Sequence, residues 1–580
     1  MSVENASLSM TNVTVSQNQT NLATSSKGGG INYLDSDPND GITVSAILNQ
    51  VSILNNTTYY TGGGMNINGS VTVTLSDVTI RGNETIDTYG GGIAAYDANN
   101  ALTIHITNNS TFQDNLANGA LGNGGGISTN GSLSVTDSSF INNSASLDGG
   151  AISAFGNGSA VTLTNATLSG NQSDGGAGMH AANISSLTIT DSNITNNQAQ
   201  TYGGGLYYGD PNGHTTIQNS VISGNQAITG GGGGISTSGD LSIEDTTISG
   251  NASLYDGGGI FYYSDNKSFS LNRVTISGNS SINNAGGLYL LNTGTGSVTN
   301  STVSGNSSTS GVGGVYANAA TSVLFNHVTI AGNTSANYVG GLTTSGVNVS
   351  MNNSIIADNT GGGAYASFPD CLATIQSQDY NLIEKVDSSC GLTGITSHNI
   401  TGQDPKLDTL KNNGGSTLTM NLLPGSPAID PAGNTSCIAE DQRGNTRPQD
   451  GDNNSTATCD IGALEVSGTP AVHVTRLDVD PASASSVRFL VRFTEPVNGV
   501  DKTAPFADFE LSPIGPVGTS ILSVTGSGAE YTVTVNTGTG NGSIGLDVLD
   551  NDSITSIASG EPLGGTGIET AITPMENAIP

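Results

Sequence analysis

The chain is 580 residues long and carries 46 acidic and 13 basic side chains, so its formal net charge is −33. Such an acidic surface repels phosphate backbones, which argues against nucleic-acid binding, and no apolar run reaches the roughly 20 residues of a membrane-spanning helix. The 82 glycines cluster in runs, whereas collagen requires one at every third position. The first residues also lack the basic and apolar segments of a signal peptide.

Two motifs alternate through residues 1–360 and recur about every 28 residues. One is an aliphatic or aromatic residue followed three positions later by asparagine, and the other is glycine followed by an aliphatic residue. The asparagines of the first motif are Asn18, Asn56, Asn83, Asn115, Asn143, Asn171, Asn197, Asn225, Asn251, Asn279, Asn306, Asn333 and Asn359. The aliphatic residues of the second are Ile31, Met65, Ile93, Ile127, Ile152, Met179, Leu206, Ile235, Ile260, Leu288, Val315 and Leu342.

Alternating apolar segments such as Leu187-Thr-Ile189 lie between the motifs and are typical of β-strands. Short strands, glycine corners and a fixed repeat predict a parallel β-solenoid of about 13 coils. Coils stack at the ~4.8 Å spacing of neighbouring strands, which gives a rod of roughly 60 Å. We expect the aliphatic residues after glycine to point inward and the asparagines to form a hydrogen-bonded ladder.

The paired Gly-Gly-aliphatic and aliphatic-x-x-Asn motifs resemble the repeats of polymorphic outer membrane proteins. More broadly, they resemble right-handed parallel β-helix proteins of the pectin-lyase-like class. The resemblance covers residues 1–360 and implies an all-β fold. It does not imply one function, because this fold hosts lyases, hydrolases, adhesins and passenger domains.

Residues 361–466 break the repeat and carry a different set of motifs. Together with SIIADN at 354–359, the stretches DYNLI (379–383), DPKLDTLKNNGGSTLTMNLLPGSPAID (404–430), DQRGNTRP (441–448) and CDIGALE (459–465) resemble the choice-of-anchor Q domain. That module occurs after β-helix repeats in bacterial exported proteins. The resemblance implies an extracellular or cell-surface protein with an attachment device.

All four cysteines lie in this region, and they allow three disulfide connectivities. Nearest-neighbour pairing would join Cys371 to Cys390 and Cys437 to Cys459. A metal site is less favoured because the spacings exceed those of zinc ligands. Disulfides predict an oxidising, extracytoplasmic location, and a cap here would cover the open strand edges of the solenoid.

After a linker at 467–472, residues 473–580 show strand-like segments at the spacing of a β-sandwich. Within them, RFTEPVNGV at 492–500 resembles bacterial Ig-like modules, which implies a spacer or adhesion domain. We interpret both ends as cut, with the Ig-like module truncated, and we expect this piece to be monomeric.

The sequence offers no convincing catalytic set. Residues 1–360 contain only Lys27, Arg81, Lys267 and Arg273 as basic residues, whereas polysaccharide lyases of this class use Arg or Lys as the base. Glycosidases need two nearby carboxylates, which adjacent coils would have to supply, for example at Asp240 or Asp245. A carbohydrate-active enzyme is therefore the alternative to a non-enzymatic protein. The solenoid histidines His105, His180, His214 and His327 are interpreted as solvated or turn residues.

Two acidic loops alternate Asp or Asn in the manner of Ca²⁺-binding loops, although a solvated turn is favoured for both. No cofactor is required, and Ca²⁺ is the alternative. The candidate ligands are Asp35, Asp37, Asn39 and Asp40 in the first loop, and Asp450, Asp452 and Asn454 in the second.

Aromatic residues recur on the strand that follows each glycine corner, at positions that alternation places outside the barrel. Directly after the inward aliphatic residue come Tyr207, Phe261, Tyr289 and Tyr316, and two positions further on come Tyr96, Phe155 and Tyr263. A second group precedes the corners and comprises Tyr60, Tyr89, Tyr202, Tyr255 and Tyr338. These rings either shield a sheet face or form a stripe that binds glycans or cell-surface proteins. We therefore expect a non-enzymatic structural or adhesin-like surface protein.

Overall fold

The computed structural model describes residues 1–20, 27–35, 44–99, 101–264, 266–318, 321–423, 425–431, 433–434, 436–452, 454, 456–468, 470, 472–478, 484–549, 553–557 and 562–563. Their regular secondary structure is β-strand apart from one 3-10 helix at Gly363–Tyr365. Among these residues no helix has the length and apolar character to cross a membrane. The all-β class predicted from the repeats is confirmed.

The repeats form a parallel β-helix of about thirteen coils, and each coil adds up to four short strands to four parallel ladders. The A ladder follows the glycine corner and contains Ser2–Glu4, Ile31–Leu34, Met65–Asn68, Ile93–Tyr96, Ile127–Thr129, Ile152–Phe155, Met179–Ala182, Leu206–Tyr208, Ile235–Thr237, Ile260–Tyr263, Leu288–Leu291, Val315–Asn318 and Leu342–Ser345. The B ladder contains Leu8–Thr11, Ser45–Asn49, Thr72–Ser76, Thr103–Thr107, Ser132–Thr136, Ala160–Thr164, Ser186–Thr190, His214–Gln218, Asp240–Glu244, Phe269–Asn272 and Asn348–Asn352.

The C ladder contains Thr14–Ser16, Ser52–Leu54, Thr79–Arg81, Thr111–Gln113, Ser139–Ile141, Thr167–Ser169, Asn193–Thr195, Val221–Ser223, Thr247–Ser249, Thr275–Ser277, Ile355–Ala357, Leu382–Ile383 and Ile400–Thr401. Two longer strands, Thr295–Ser304 and Ser322–Ala331, run through both B and C. The D ladder contains Gln19–Thr20, Thr57–Thr58, Glu84–Thr85, Leu116–Ala117, Ser144–Ala145, Gln172–Ser173, Gln198–Ala199, Gln226–Ala227, Ala252–Ser253, Ser280–Ser281, Ser307–Ser308 and Thr334–Ser335.

Parallel pairing extends beyond residue 360 into the region that the sequence motifs assign to the cap. Leu342 of the A ladder pairs with Cys371 of the strand Cys371–Gln378, which then pairs with Cys390–Ile395. These strands lack the glycine and asparagine motifs but keep inward apolar residues such as Ile375. The ladder therefore continues where the motifs end.

The corners of each coil depend on residues in the left-handed conformation, which Gly, Asn and Asp adopt at low cost. The corner between B and C uses residues such as Asp191 and Asn219, with φ of 51° and 47°. The corner before A uses the first glycine of the run. A Cβ on Gly203 would lie 2.4 Å from the carbonyl oxygen of Leu206, so no larger residue fits there.

The interior combines aliphatic side chains with the predicted asparagine ladder. Asn197 is typical: its Nδ2 donates to the carbonyl of Leu168 and to Oδ1 of Asn225, each over 2.9 Å. Equivalent bonds link all thirteen asparagines, so the ladder is confirmed. The last amide, that of Asn359, donates over 2.9 Å to Oδ1 of Asp370, which ends the ladder as a pure acceptor.

The cap, residues 402–466, packs on the last coils through a second apolar core and through buried polar contacts. Gln442 of the DQRGNTRP motif donates from Nε2 to Oγ1 of Thr275 over 2.9 Å and accepts a bond from Thr302 over 2.6 Å. Both threonines belong to strands of the C ladder. The apolar core contains Ile355, Ala357, Tyr380, Leu382, Leu422, Ala428, Ile461, Leu464 and Val466.

Two buried ion pairs stabilise the cap, one between two of its motifs and one within a motif. Arg447 Nη1 lies 2.7 Å from Glu465 Oε2, and both side chains are fully buried. Arg443 Nη2 lies 2.8 Å from Asp441 Oδ2, also almost without exposure. The charged residues of the DQRGNTRP and CDIGALE motifs therefore build the interior of the cap.

The disulfides follow nearest-neighbour pairing, which resolves the three alternatives. Cys371 pairs with Cys390 at a Cα separation of 5.4 Å, and Cys437 pairs with Cys459 at 5.8 Å. The first bond links neighbouring strands at the end of the β-helix, and the second closes a loop of the cap.

The C-terminal region forms two small antiparallel sheets around its own apolar core. Its strands are Val472–Arg476, Ser486–Asn498, Phe509–Ile514, Ser520–Asn536, Ser543–Val548 and Thr555–Ser556. Ser486–Asn498 pairs with Val472–Arg476, Ser520–Asn536 and Thr555–Ser556, while Phe509–Ile514 pairs with Ser543–Val548. The sequence predicted strand-like segments after residue 473, and the described part of this region contains these strands.

Candidate functional site

The aromatic residues of the A ladder form a stripe on the outer face of the β-helix. The in-phase register places Phe261 beside Tyr289, and Tyr289 beside Tyr316, on three consecutive coils. From Tyr96 to Tyr316 the stripe spans nine coils, which corresponds to about 40 Å at the spacing of neighbouring strands. We call this set of Tyr96, Phe155, Tyr207, Phe261, Tyr263, Tyr289 and Tyr316 the aromatic stripe.

Much of the stripe is stacked along the axis of the rod. Ring centroids lie 5.4 Å apart for Phe261 and Tyr289 and 5.1 Å apart for Tyr289 and Tyr316, with interplanar angles of 21° and 8°. Tyr289 therefore lies between two rings and is only 4% exposed. The neighbouring rings cover both faces of Tyr289, and Tyr316 ends the stack beside Thr343 of the next coil.

The other members of the stripe are linked across gaps of one coil. Tyr96 and Phe155 lie 5.6 Å apart on either side of a coil that carries the small residue Ser128. The hydroxyl of Tyr263 donates to that of Tyr207 over 3.1 Å. Burial raises the pKa of Tyr96 and Tyr263, which keeps these phenols neutral and able to donate hydrogen bonds.

The tyrosines before the glycine corners flank the stripe and are more open to solvent. Tyr202 and Tyr255 are 47% and 56% exposed, far more than the stacked rings. Tyr89 packs against Tyr96 at 5.4 Å, which joins the two groups at one point. The most exposed tyrosines among these two groups thus lie before the glycine corner.

A polar cleft of about 570 Å³ lies where the β-helix, the cap and the C-terminal region meet. Its lining includes Asp191, Asp245 and Arg273 from the B–C corners, Glu440 from the cap and Arg492 from the C-terminal region. Cavities of this size at such junctions are common ligand sites. Its charges are paired in part, since Arg273 Nη2 lies 2.8 Å from Asp245 Oδ2.

The carboxylates named as alternatives for catalysis occupy different places. Asp245 faces the cleft, where burial opposes ionisation but hydrogen bonds from Arg273 and Ser416 lower its pKa overall. Asp240 lies on the B ladder and accepts a bond from Ser268 over 2.7 Å. A general acid needs a raised pKa, so Asp245 suits only the role of a base.

The two acidic loops, for which Ca²⁺ binding was the alternative to a solvated turn, differ in what the structure describes. Asp37, Asn39 and Asp40 lie outside the described residues, whereas Asp35 of the same loop is buried. In the second loop, carboxylate oxygens of Asp450 and Asp452 lie within 4.8 Å of each other and of Asp430, which the sequence analysis did not include. The amide of Asn454 instead donates to Asp452 over 2.8 Å, which is the geometry of a closed turn.

The histidines were interpreted as solvated or turn residues, and two of them have defined roles. His327 is fully buried at the corner between B and C, where burial and the charge of Arg447 lower its pKa, so it is a turn residue but not a solvated one. His180 extends the aromatic stripe: its ring stacks on that of Tyr207 at 4.9 Å. The sequence contained a signal for this role: His180 directly follows the inward Met179, just as Tyr207 directly follows the inward Leu206 one coil later.

One comparison with known proteins agrees with the fold. Residues 125–306 match the family model described as "Right handed beta helix region", and no curated protein matches the chain. The structure is similar to that titled "Crystal structure of Dettilon tailspike protein (gp208)", at 10% sequence identity and a TM-score of 0.23, over 90% of this chain and 86% of that one. The rod is a right-handed parallel β-helix.

Proposed function

We propose that this protein is a non-enzymatic extracellular or cell-surface protein whose β-helix is a rigid stalk that binds glycans along the aromatic stripe. The observation that carries the proposal is the row of rings along about 40 Å of one face of the rod. Rings with free faces or edges pack against the C–H surfaces of sugars, and their neutral hydroxyl groups donate hydrogen bonds. The two disulfides support an extracellular location.

The test is a binding screen of the whole chain on immobilised glycans, followed by ring-removal variants. Replacing both Tyr207 and Tyr316 by alanine should weaken binding at least about tenfold, because each ring contributes ~1 kcal/mol to a stacked contact. Ile47→Ala removes an apolar side chain that is 48% exposed on the B ladder, away from the stripe, and is the matched control. Unchanged binding in the double variant would contradict the proposal.

A second candidate function is glycan hydrolysis in the polar cleft. The positions of Asp191 and Asp245 in the lining of the cleft favour this function. They occupy the same corner two coils apart, so their backbones are separated by about 10 Å, near the spacing of carboxylates in inverting glycosidases. A depolymerisation screen on neutral and acidic glycans tests this activity. Release of reducing ends that Asp191→Asn abolishes would support hydrolysis and exclude a purely structural role.

A further inference from the structure

A separate cleft of about 490 Å³ lies where the cap meets the C-terminal region. It lies at an interruption of the antiparallel sheet, because Arg492 pairs with Glu530 but the next pair is Val497 with Gly528. Four residues of one strand thus face one residue of the other. Irregularities of this kind redirect side chains and are common beside functional sites. We call it the lysine cleft, and its lining includes Lys411, Val497, Asn498, Val500, Lys502 and Tyr531.

The lysine cleft has an uncompensated positive charge, although the net charge of the chain is −33. Among the described residues that line it, none carries a carboxylate. Lys411 is neutralised by Asp408, whose Oδ2 lies 2.5 Å from its Nζ. The neighbouring carboxylate of Glu530 is paired with Arg492 at 2.5 Å. Lys502 forms no ion pair with a described residue, and its Nζ donates only to a backbone carbonyl over 3.3 Å, which leaves two N–H groups for a ligand.

Tyr531 brings a hydrogen-bond donor without a partner to the same cleft. The residue is only 5% exposed, and its ring packs edge-to-face on Phe493 at a centroid distance of 5.8 Å. Its hydroxyl group forms no hydrogen bond with the described part of the chain. Burial raises the pKa of Tyr531, which keeps the hydroxyl group protonated. Because buried polar groups are nearly always paired in folded proteins, this donor indicates the place of a ligand.

The rest of the lining combines apolar side chains with an amide. Val497 and Val500 supply an apolar wall. The side chain of Asn498 is exposed and forms no hydrogen bond with the residues that the structure describes, so it offers both a donor and an acceptor. Apolar walls with a few placed polar groups are typical of small-molecule sites, and the volume of the cleft lies in their usual range.

These groups match a monocarboxylate that has an apolar body. The two oxygens of a carboxylate can accept one hydrogen bond from Lys502 and one from Tyr531, and bonds to charged groups are the strong ones. A single uncompensated lysine favours one negative charge over the double charge of a phosphate group. The valines suit an apolar side chain, and Asn498 suits an amide, which likewise has one donor and one acceptor.

We propose that the lysine cleft binds a carboxylate next to an apolar side chain and an amide, as in an N-acylated amino acid or the C-terminus of a peptide. Lys502 and Tyr531 hold the carboxylate. Asn498 binds the amide, and the two valines pack against the apolar side chain. The site lies outside the β-helix and is independent of glycan binding by the aromatic stripe.

The experiment titrates N-acetyl-leucine and N-acetyl-leucinamide into the whole chain at pH 7. The two probes have nearly the same shape and differ in the negative charge. Salt at about 0.15 M screens the repulsion between the acidic protein and the acidic probe, since the Debye length is then about 8 Å. We expect the acid to bind at least about tenfold more tightly than the amide, because hydrogen bonds between charged groups are strong.

Lys502→Gln and Tyr531→Phe should each remove most of that preference. Tyr531→Phe should do so without lowering the melting temperature, because the hydroxyl group that it removes has no partner among the described residues. Lys27→Gln is the matched control, since it removes an exposed lysine in the first coils of the β-helix.

A preference for the acid that both cleft variants lose and Lys27→Gln keeps supports the site. Equal binding of acid and amide, no binding of either, or a preference that survives both cleft variants overturns it. Acetate that binds as tightly as N-acetyl-leucine overturns it in favour of a bare anion site. Peptides that end in leucine then separate the two sources: affinity that rises with peptide length identifies a C-terminus, and constant affinity identifies the small acid.

Discussion

The principal buried polar network of the β-helix is neutral and recurs with every coil, whereas that of the cap includes charged pairs that occur once. The asparagine ladder shares its hydrogen bonds among thirteen equivalent rungs. The cap instead depends on the Arg447–Glu465 and Arg443–Asp441 pairs. In a repeated neutral network, loss of one side chain leaves the hydrogen bonds of the other coils in place, so the damage stays local. In a single charged network, loss of one side chain leaves a buried charge unpaired, which destabilises the whole network.

The largest effect is therefore expected from breaking the ion pair in the cap. Arg447→Ala removes the bonds to Glu465, to the carbonyl of Asp460 and to that of Gly462. We expect a loss of about 3–5 kcal/mol in the stability of the cap, because a buried carboxylate is left without its partner. Chemical denaturation monitored by hydrogen exchange would show the cap unfolding separately while the β-helix amides stay protected. Loss of protection throughout the chain would contradict the comparison.

The charged groups also predict how stability changes with pH. Burial raises the pKa of Asp370 to about 6 and that of Glu465 to about 7, the latter despite the opposing effect of Arg447. Carboxyls with a folded pKa above the unfolded value stabilise the fold fully below about pH 4 and lose that contribution as the pH rises through 6 and 7.

We therefore expect the stability of the cap, which holds Glu465, and that of the last coils, which hold Asp370, each to fall by about 3 kcal/mol between pH 4 and pH 8. Thermal unfolding across this range measures the change. Glu465→Gln keeps the shape of the side chain and should flatten the upper part of the profile, near pH 7. A melting temperature that rose from pH 5 to pH 8 would have the wrong sign for this account.

A smaller and more local effect is expected from the asparagine ladder. Asn197→Asp keeps the acceptor for Asn171 but loses the bonds that the amide donates to Leu168 and Asn225. The buried carbonyl of Leu168 and the Oδ1 of Asn225 each lose a donor, so we expect a loss of about 2–3 kcal/mol, confined to the neighbouring coils.

Asp370 is the natural comparison for Asn197→Asp, because it is an aspartate at the end of the ladder. Its carboxylate accepts a hydrogen bond from Asn359 and has no later rung to which it would need to donate. Hydrogen exchange of the Asn197 coil against a distant coil near Asn83 would reveal how far the damage spreads. Equal deprotection of both coils would show that the rungs are not independent.

The sequence predicted the parts of the structure that repeat. Each of the thirteen copies of the asparagine motif occupies the same position in its coil, so the repeat predicts a ladder. Likewise, the glycine run before Ile, Met, Leu or Val predicts a left-handed corner. Hydrogen-bond partners such as Asn197 and Asn225 follow from that register.

Features that depend on unequal coils were not predictable. Asp148 and His180 belong to adjacent coils whose loops differ in length, so their approach to 3.7 Å requires the three-dimensional register. The ring stack around Tyr289 depends on side-chain rotamers, which alternation does not specify. The residues of the cap network do not recur in the sequence. Their pairing, such as that of Arg447 with Glu465, is therefore visible only in the structure.

The smallest effect is expected from calcium at Asp430, Asp450 and Asp452. The N–H groups of Asp452 and Thr458 already donate hydrogen bonds to the Asp430 carboxylate, over 2.9 and 3.2 Å. These bonds occupy oxygen lone pairs that would otherwise coordinate Ca²⁺. Burial nevertheless raises the pKa of Asp430, so a cation would still be favourable. We expect millimolar Ca²⁺ to raise the melting temperature of the cap by a few degrees at most, about 1 kcal/mol.

Asp452→Asn should remove this gain in melting temperature. Asp478→Asn, which changes an acid paired with Arg488, should not. No shift with Ca²⁺ or EDTA would mean that hydrogen bonds within the protein already complete the loop, as they complete the ladder of the β-helix.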